Sequence, residues 1–328
     1  MKTHKKSISL LIVMGLMASK TYGSMAAQPK PTDLVRTIIT HDQQPTKALT
    51  DLLGKLNVKH TGTLESIKAA TQAPGVWLRP TAEREDAPEI HIKMREELLP
   101  LYDALGLLKA NQPTQPSYNH VIVLSNMVKP FRQRLAFTYA LFKQGIKFNK
   151  IHLVGSERQL SATHENEKVL LEATNPDLPF RKDWLLKTAI PTTDTPMLEF
   201  LYDQADFSTP FRAVPMVALN VVNVVKSDGS ITRATTGTQV TEWVKNNGTK
   251  GSTLWISNNP YNAYQDSVVR TYAPSSLKVE TAGPAADINK PNLNADCLDT
   301  VARIIYQESV RTKIKSVPLT CVTDKTNK

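Results

Sequence analysis

The sequence predicts an α/β protein: a Rossmann-like, three-layer open sheet of about five mostly parallel strands, preceded by an N-terminal helical extension. From residue 120 onward, short apolar runs rich in β-branched residues alternate with longer amphipathic segments, which is the pattern of βαβ units. Before that point the periodicity is helical. The chain has 328 residues, enough for one large domain or two small ones.

The first residues have the pattern of a secretory signal peptide. A basic start is followed by an apolar run over residues 8–18 and by small residues before a cleavage point after Ala26. Cleavage after Gly23 and an uncleaved anchor are the alternatives. Later segments fall short of the ~20 apolar residues of a membrane span. We therefore expect residues 1–26 to be removed and the mature chain to be soluble, without a transmembrane segment, and periplasmic or secreted.

The charge balance restricts the partners. The predicted signal peptide holds four lysines and no acidic residue, so its removal lowers the formal net charge from +10 to +6. The remaining basic residues form no block, so a nucleic-acid partner is not indicated. An anionic ligand and contact with the cell-envelope surface both agree with this charge.

Two cysteines, Cys297 and Cys321, are present. In an exported protein we expect a disulfide between them, with two buried thiols as the alternative. Two cysteines do not make a zinc site, and no set of residues has metal-ligand spacing, so no metal is predicted.

Residues 27–116 are predicted to form the helical extension. Helical spacing is found over residues 46–56 and 92–108, where Pro100 is expected to kink or split the second helix. The composition of residues 111–119 indicates a linker.

Residues 117–328 are predicted to form the α/β domain. It begins with a right-handed βαβ unit: strand 120–125, helix 130–145 and strand 150–155. Further strands are expected at 214–225 (in one or two pieces), 252–257 and 277–283. Further helices are expected at 163–174, 193–204, 237–248, 262–272 and 296–314, with Asp194 or Thr195 capping the second of these and Pro196 at its first position.

Several strong functional motifs are absent. The chain has no phosphate-binding G-x-x-x-x-G-K-[ST] loop, no G-x-G-x-x-G, no H-E-x-x-H and no G-x-S-x-G. The first strand ends in "LSNMVKP", without a glycine that would let a pyrophosphate approach the backbone. A standard dinucleotide site is therefore disfavoured, and the sequence assigns no cofactor.

The candidate site lies at the strand ends instead. Open α/β sheets bind ligands outside the carboxyl ends of their strands, where helix N-termini also point free N–H groups. The polar residues expected there are Asn126, Arg132, Ser156, Arg158, Arg233, Thr235, Thr236, Ser257, Asn258, Tyr261 and Gln265. Together they would suit an anionic or hydroxyl-rich small molecule. No catalytic residue is assigned, but Glu157 and Asp194 are candidate general bases.

These residues also have ordinary structural interpretations. Ser257 and Asn258 would serve as helix caps, and Thr235 and Thr236 as turn residues before an N-cap at Thr238. Arg132 and Arg134 would lie on a solvated helix face. Only the coincidence of polar residues at several strand ends favours a site.

The segment "YNHVIVLSNMVKPFRQRLAFTYALFKQGIKFNKIHLVGSERQL", residues 118–160, resembles the first βαβ unit of the YdcF/SanA-like (ElyC/SanA/YdcF) group of bacterial envelope-associated proteins. The matching positions are Arg132, Arg134, Leu135, Gly145, Gly155 and Arg158. "RATTGTQVTEW", residues 233–243, and "ISNNPYNAYQ", residues 256–265, resemble later elements of that group. The resemblance implies a Rossmann-like fold and a role in envelope biogenesis or barrier integrity. One relative is associated with S-adenosylmethionine, but Ser125-Asn126-Met127 replaces its glycine turn here.

Three functions are therefore considered. The first is an exported binding protein or hydrolase for an anionic or nucleotide-like small molecule, with a role in the cell envelope. The second is a non-catalytic secreted or envelope interaction protein on an enzyme-like fold, for which an exposed apolar patch on the N-terminal helices would be a sign. The third is a nucleotide-dependent methyltransferase.

Overall fold

The computed structural model describes residues 33–73, 76–80 and 87–316. The predicted signal peptide and Cys321 lie outside these residues, so cleavage, export and the disulfide stay predictions; Cys297 is fully buried. Within the described ranges, no helix has the length and apolar character needed to cross a membrane.

The described part of the chain begins with short helices. A 3₁₀ turn, Leu34–Thr37, is followed by α1 (Lys47–Lys55), α2 (Leu64–Thr71), a second 3₁₀ turn (Ile92–Met94) and α3 (Arg95–Ala104). Thr46 and Thr63 cap α1 and α2, because each side chain accepts a backbone N–H from the first turn of its helix. The helix expected over 92–108 is shorter than predicted, and Pro100 lies inside it.

The remaining elements alternate between strands and helices. In chain order they are β1 (Ser117–Tyr118), β2 (His120–Leu124), α4 (Val128–Lys143), β3 (Lys147–Phe148), β4 (Ile151–Ser156), α5 (Glu167–Leu170), α6 (Asp194–Gln204), α7 (Thr209–Arg212), β5 (Met216–Val221), β6 (Val224–Val225), β7 (Ile231–Thr232), α8 (Thr236–Asn247), β8 (Gly251–Ile256), α9 (Asn262–Tyr272), β9 (Leu277–Ala282) and α10 (Leu293–Ser316).

The central sheet has five parallel strands in the order β5-β4-β2-β8-β9. The chain starts in the middle, moves outward through β4 and β5, and returns to place β8 on the other side of β2. The switch point of the sheet is therefore the crevice between β2 and β8, beyond their carboxyl ends.

Helices cover both faces of this sheet. Val121 and Val123 of β2 pack with the apolar residues of α4 and α6, whereas the alternating Ile122 and Leu124 pack with those of α8 and α9, around Trp243. This arrangement confirms the predicted α/β, Rossmann-like three-layer fold. A third apolar cluster joins α1, α2 and α3 to α10.

Two local predictions were wrong, and for a third the structure selects one of two alternatives. Of the helix expected over 163–174, only the four-residue α5 forms, and most of residues 157–193 form a loop. The cap of α6 is Thr193 rather than Asp194 or Thr195, since the Asp194 carboxylate is bound elsewhere, as described below. The strand expected over 214–225 forms two pieces, one of the two alternatives: β5 ends at Val221, and β6 pairs with β7 as a separate antiparallel hairpin.

Candidate functional site

A cleft of about 220 Å³ lies at the carboxyl ends of β2 and β4, beside the N-terminus of α8. Among the described residues that line it, none is acidic and five are arginines: Arg79, Arg134, Arg158, Arg233 and Arg303. The other lining residues are Ser125, Asn126, Met127, Ser156, Ala234, Thr235, Thr236, Gln239, Tyr264 and Gln265. The cleft therefore lies on the β4 side of β2, outside the carboxyl ends of the strands, where open α/β sheets bind ligands.

Arg158 lies within a buried ionic network at the end of β4. It forms a two-pronged ion pair with Glu165 and donates to Asp194 Oδ1 at 3.0 Å. Burial alone would lower the pKa of Arg158, but the two carboxylates outweigh it and hold the pKa above its usual range. Ser156 donates to the other oxygen of Asp194 at 3.2 Å. Arg158 is therefore ionised and fixed in position, with Glu165 and Asp194 as its counterions.

Arg134 is buried in α4 and is held mainly by the ends of β2 and β8. Its N–H groups donate to Asn258 Oδ1 at 2.6 and 2.9 Å and to Ser257 Oγ at 3.3 Å. They also donate to the carbonyl oxygens of Leu124 and Ser125. Ser257 and Asn258 are therefore acceptors for Arg134. They do not cap α9, because its N-cap is Tyr261, without a side-chain hydrogen bond.

Asn259, next to Asn258, has a different role. Its Nδ2 donates to Asn111 Oδ1 at 3.1 Å, and Asn262 Nδ2 donates to the same oxygen at 2.8 Å. These bonds tie the segment before β1 to the turn between β8 and α9. The two asparagines at this strand end thus hold two different parts of the fold.

Arg79 and Arg303 come from the two ends of the chain and share one buried carboxylate. Arg303 binds Asp299 at 2.7 and 3.0 Å, and Arg79 reaches the same carboxylate at 3.4 Å. Burial would lower the pKa of Arg303, but Asp299 outweighs it and raises that pKa. These two arginines and Arg134 were missing from the predicted site, because their approach to the strand ends depends on tertiary packing.

The remaining wall carries hydroxyl and amide groups. Thr235 caps α8 in a capping box with Thr238, which replaces the predicted cap at Thr238. Gln239 of the same helix donates to Ser125 Oγ at 3.4 Å. Gln265 is 7% exposed, and its Oε1 has no hydrogen-bond partner among the described residues. This amide is available to a ligand.

A second, larger cavity of about 840 Å³ adjoins the cleft and shares Asn126 and Met127 with it. We call it the groove. It lies between the start of α4, the loop before α6, the turn after β8 and the connection from β9 to α10. Arg132 lines it, and donates to the carbonyl oxygens of Val169 and Leu170 at 3.1 and 2.9 Å. Arg132 is 1% exposed, so the alternative of a solvated helix face is wrong for it.

The structure brings together most of the predicted site residues. The cleft contains Asn126, Ser156, Arg158, Arg233, Thr235, Thr236 and Gln265, and the groove contains Asn126, Arg132, Asn258 and Tyr261. Ser257 is buried behind Arg134. Glu157 lines neither cavity; it is exposed and accepts the Asn223 backbone N–H at 2.9 Å.

Within the described part of the chain, no group of three or more His, Cys, Asp or Glu side chains is arranged to hold a metal ion. Comparisons of the chain with protein-family models, with curated proteins and with solved structures found no match. Fold and site together define a Rossmann-like α/β protein with an arginine-rich cleft at the carboxyl ends of its strands. The resemblance to the YdcF/SanA-like group stays a prediction.

Proposed function

We propose that this chain is an exported protein that binds a small anionic molecule, phosphate-bearing or nucleotide-like, in the arginine-rich cleft. The observation that carries the proposal is the convergence of five arginines from five separate parts of the chain on one cleft. Arginine stays ionised at all physiological pH values and binds phosphate and carboxylate groups with paired hydrogen bonds.

The N-terminus of α8 adds to this preference. Arg233 to Thr236 line the cleft immediately before and at the first residue of this twelve-residue helix. The first turn of a helix carries backbone N–H groups without helical partners and the positive end of the dipole. Phosphates bind at such helix ends in other α/β proteins.

The cleft is also held in shape before a ligand arrives. Arg134 is 1% exposed and Arg158 is 6% exposed. Their guanidinium groups are oriented by Asn258 and by Glu165 and Asp194. Because these side chains are already ordered, less conformational entropy is lost on binding than with free surface arginines.

We propose binding rather than a reaction. Asp194 is bound to Arg158 and Ser156, and Glu157 lies outside both cavities. Neither carboxylate is therefore placed to remove a proton from a ligand in the cleft. A role in the cell envelope is part of the proposal, and it is supported by the predicted signal peptide and by the resemblance described above.

A second candidate is an interaction protein, favoured by one observation. The hairpin formed by β6 and β7 exposes Val224, Val225 and Ile231, and Val222 beside it is also exposed. Exposed apolar side chains grouped on one element are typical of a contact surface. This group lies on the hairpin rather than on the N-terminal helices, where it was expected.

A thermal-shift screen of the mature chain tests the first candidate, because a ligand that binds only the folded state raises the melting temperature. The probes are inorganic phosphate, pyrophosphate, nucleoside monophosphates, citrate and S-adenosylmethionine. We expect phosphate-bearing compounds to raise the melting temperature and Arg233→Ala to abolish the effect. If no anion stabilises the protein, the interaction candidate is favoured. If S-adenosylmethionine alone stabilises it, the methyltransferase hypothesis replaces ours.

A further inference from the structure

The cleft and the groove lie on either side of the end of β2. Asn126 and Met127, which follow β2, line both cavities. The two cavities therefore meet at these residues, and a ligand long enough to pass over their side chains would occupy both. The volume of the groove is about 840 Å³, and that of the cleft is about 220 Å³. The groove therefore has the volume of a site for a drug-sized molecule. The larger part of such a ligand would lie in the groove.

The two cavities differ in charge. No described residue that lines the cleft is acidic. The described lining of the groove contains five acidic side chains: Glu89, Glu172, Asp177, Asp287 and Asp296. Its basic residues are Lys129, Arg132 and Lys290, and two of these are engaged by groove carboxylates: Lys290 binds Asp296 at 2.6 Å, and Arg132 lies 3.7 Å from Glu172. The groove is therefore unsuited to a second anionic group.

The groove offers donors and acceptors for neutral polar groups instead. Gln133 and Asn289 line it with amide side chains, and the buried Oδ1 of Asn259 has no hydrogen-bond partner among the described residues. Amides donate and accept, and carboxylates such as Asp177 accept. Hydroxyl groups, which do both, match this mixture. Apolar surface between the polar groups comes from Pro130, Pro176, Pro260, Pro291 and Tyr261.

We infer that the groove binds the sugar portion of a phosphorylated sugar whose phosphate occupies the arginine-rich cleft. This inference rests on the proposed anion-binding function. The Gln265 amide, in the cleft, is placed to bind a hydroxyl group next to the phosphate. A nucleotide would need aromatic surface for its base, and among the described lining residues of the groove only Tyr261 and His164 supply it.

Calorimetric titration of the mature chain tests this inference with four probes: inorganic phosphate, glucose 1-phosphate, methyl glucoside and uridine monophosphate. The groove variant is Gln133→Ala, Asp177→Ala and Asp287→Ala combined. The matched control is Asp183→Ala, an exposed aspartate of the loop before α6 that does not line the groove. Circular dichroism and the melting temperature confirm that each variant is folded.

We expect glucose 1-phosphate to bind the unmodified chain at least ~10-fold more tightly than phosphate does, a difference that calorimetry resolves. The groove variant should lose this advantage and keep its affinity for phosphate, whereas the control should keep both. The inference is overturned if glucose 1-phosphate and phosphate bind equally, if the groove variant keeps the advantage, or if uridine monophosphate binds most tightly. Failure of phosphate and of both phosphorylated probes to bind contradicts the proposed function itself.

Discussion

Arg134 of α4 and Asn258 at the end of β8 are joined by two hydrogen bonds, of 2.6 and 2.9 Å, to one amide oxygen. Arg134 also binds the carbonyl oxygens at the end of β2. The helix that follows β2 is thereby fixed to both strands that border the switch point. Because Arg134 lines the cleft and Asn258 lines the groove, this pair forms part of the wall between the two cavities.

Asn258→Ala should destabilise the fold. The substitution removes the acceptor of two N–H groups from a buried guanidinium, and leaving such a group partly unsatisfied costs about 2–3 kcal/mol. Urea unfolding followed by circular dichroism measures the change. Asn246→Ala is the control, because its side chain is exposed and bonds only within α8, and it should change the free energy of unfolding by less than about 0.5 kcal/mol. Equal effects of the two substitutions would mean that Arg134 does not depend on Asn258.

Gly155→Ala should also destabilise the protein. A Cβ at this position would lie 2.5 Å from Thr195 Oγ1 and 3.0 Å from Thr195 Cα, so α6 would have to move away from β4. Overpacking of this kind costs about 1–3 kcal/mol.

Gly54→Ala provides the matched control for Gly155→Ala. Gly54 lies within α1, and a Cβ added there would have nothing within 4 Å, so alanine should stabilise the helix by about 0.5–1 kcal/mol. Thermal unfolding of both variants shows whether each substitution lowers or raises the stability of the protein. A stabilising Gly155→Ala would show that α6 does not pack this closely on β4.

His152 should make the protein sensitive to acid. Burial, together with the neighbouring His120 and Lys150, lowers the pKa of His152 to about 3. His120 Nδ1 and His152 Nε2 lie 3.0 Å apart. In the unfolded chain histidine has a pKa of about 6.5, so below that pH the unfolded state binds a proton that the folded state does not. Stability contributed by neutral His152 is therefore present above about pH 6.5 and is lost as the pH falls toward 3.

The size of this effect can be isolated with His152→Gln. Between about pH 7.5 and about pH 5.0 the unmodified protein should lose about 2 kcal/mol more stability than the variant, from the unfolded-state protonation of this one group. Urea unfolding at both pH values measures the difference between the two proteins, so titrating groups that do not contact His152 cancel. Identical pH dependence of stability in the two proteins would contradict the lowered pKa of His152 in the folded state.

The sequence predicted the sheet more reliably than the site. Runs such as "HVIVLS" and "STLWIS" are rich in apolar and β-branched residues, which pack on both faces of the sheet, so their pattern and length were sufficient to identify parallel strands. The segment 163–174 failed because its polar residues are used in local contacts: the Glu165 carboxylate binds Arg158, and Asn166 caps only one helical turn.

The site was predicted where it depends on strand ends and missed where it depends on packing. Asn126, Ser156, Arg158 and Arg233 follow or end strands, so topology alone brings them together. Arg79 and Arg303 reach the cleft only because the N-terminal segment packs on α10. No local sequence pattern identifies such residues. In the same way, no local pattern predicts that Asn258 binds Arg134 instead of capping a helix.

The central claim is that the arginine-rich cleft binds an anion, and calorimetric titration with pyrophosphate tests it most directly. The unmodified chain is compared with Arg233→Ala and with Lys245→Ala, which removes one exposed positive charge from the far end of α8. We predict that Arg233→Ala weakens binding at least ~10-fold, whereas Lys245→Ala changes it less than ~2-fold because an exposed charge at that distance is screened by salt. Equal loss in both variants, or no binding by the unmodified chain, would contradict the account.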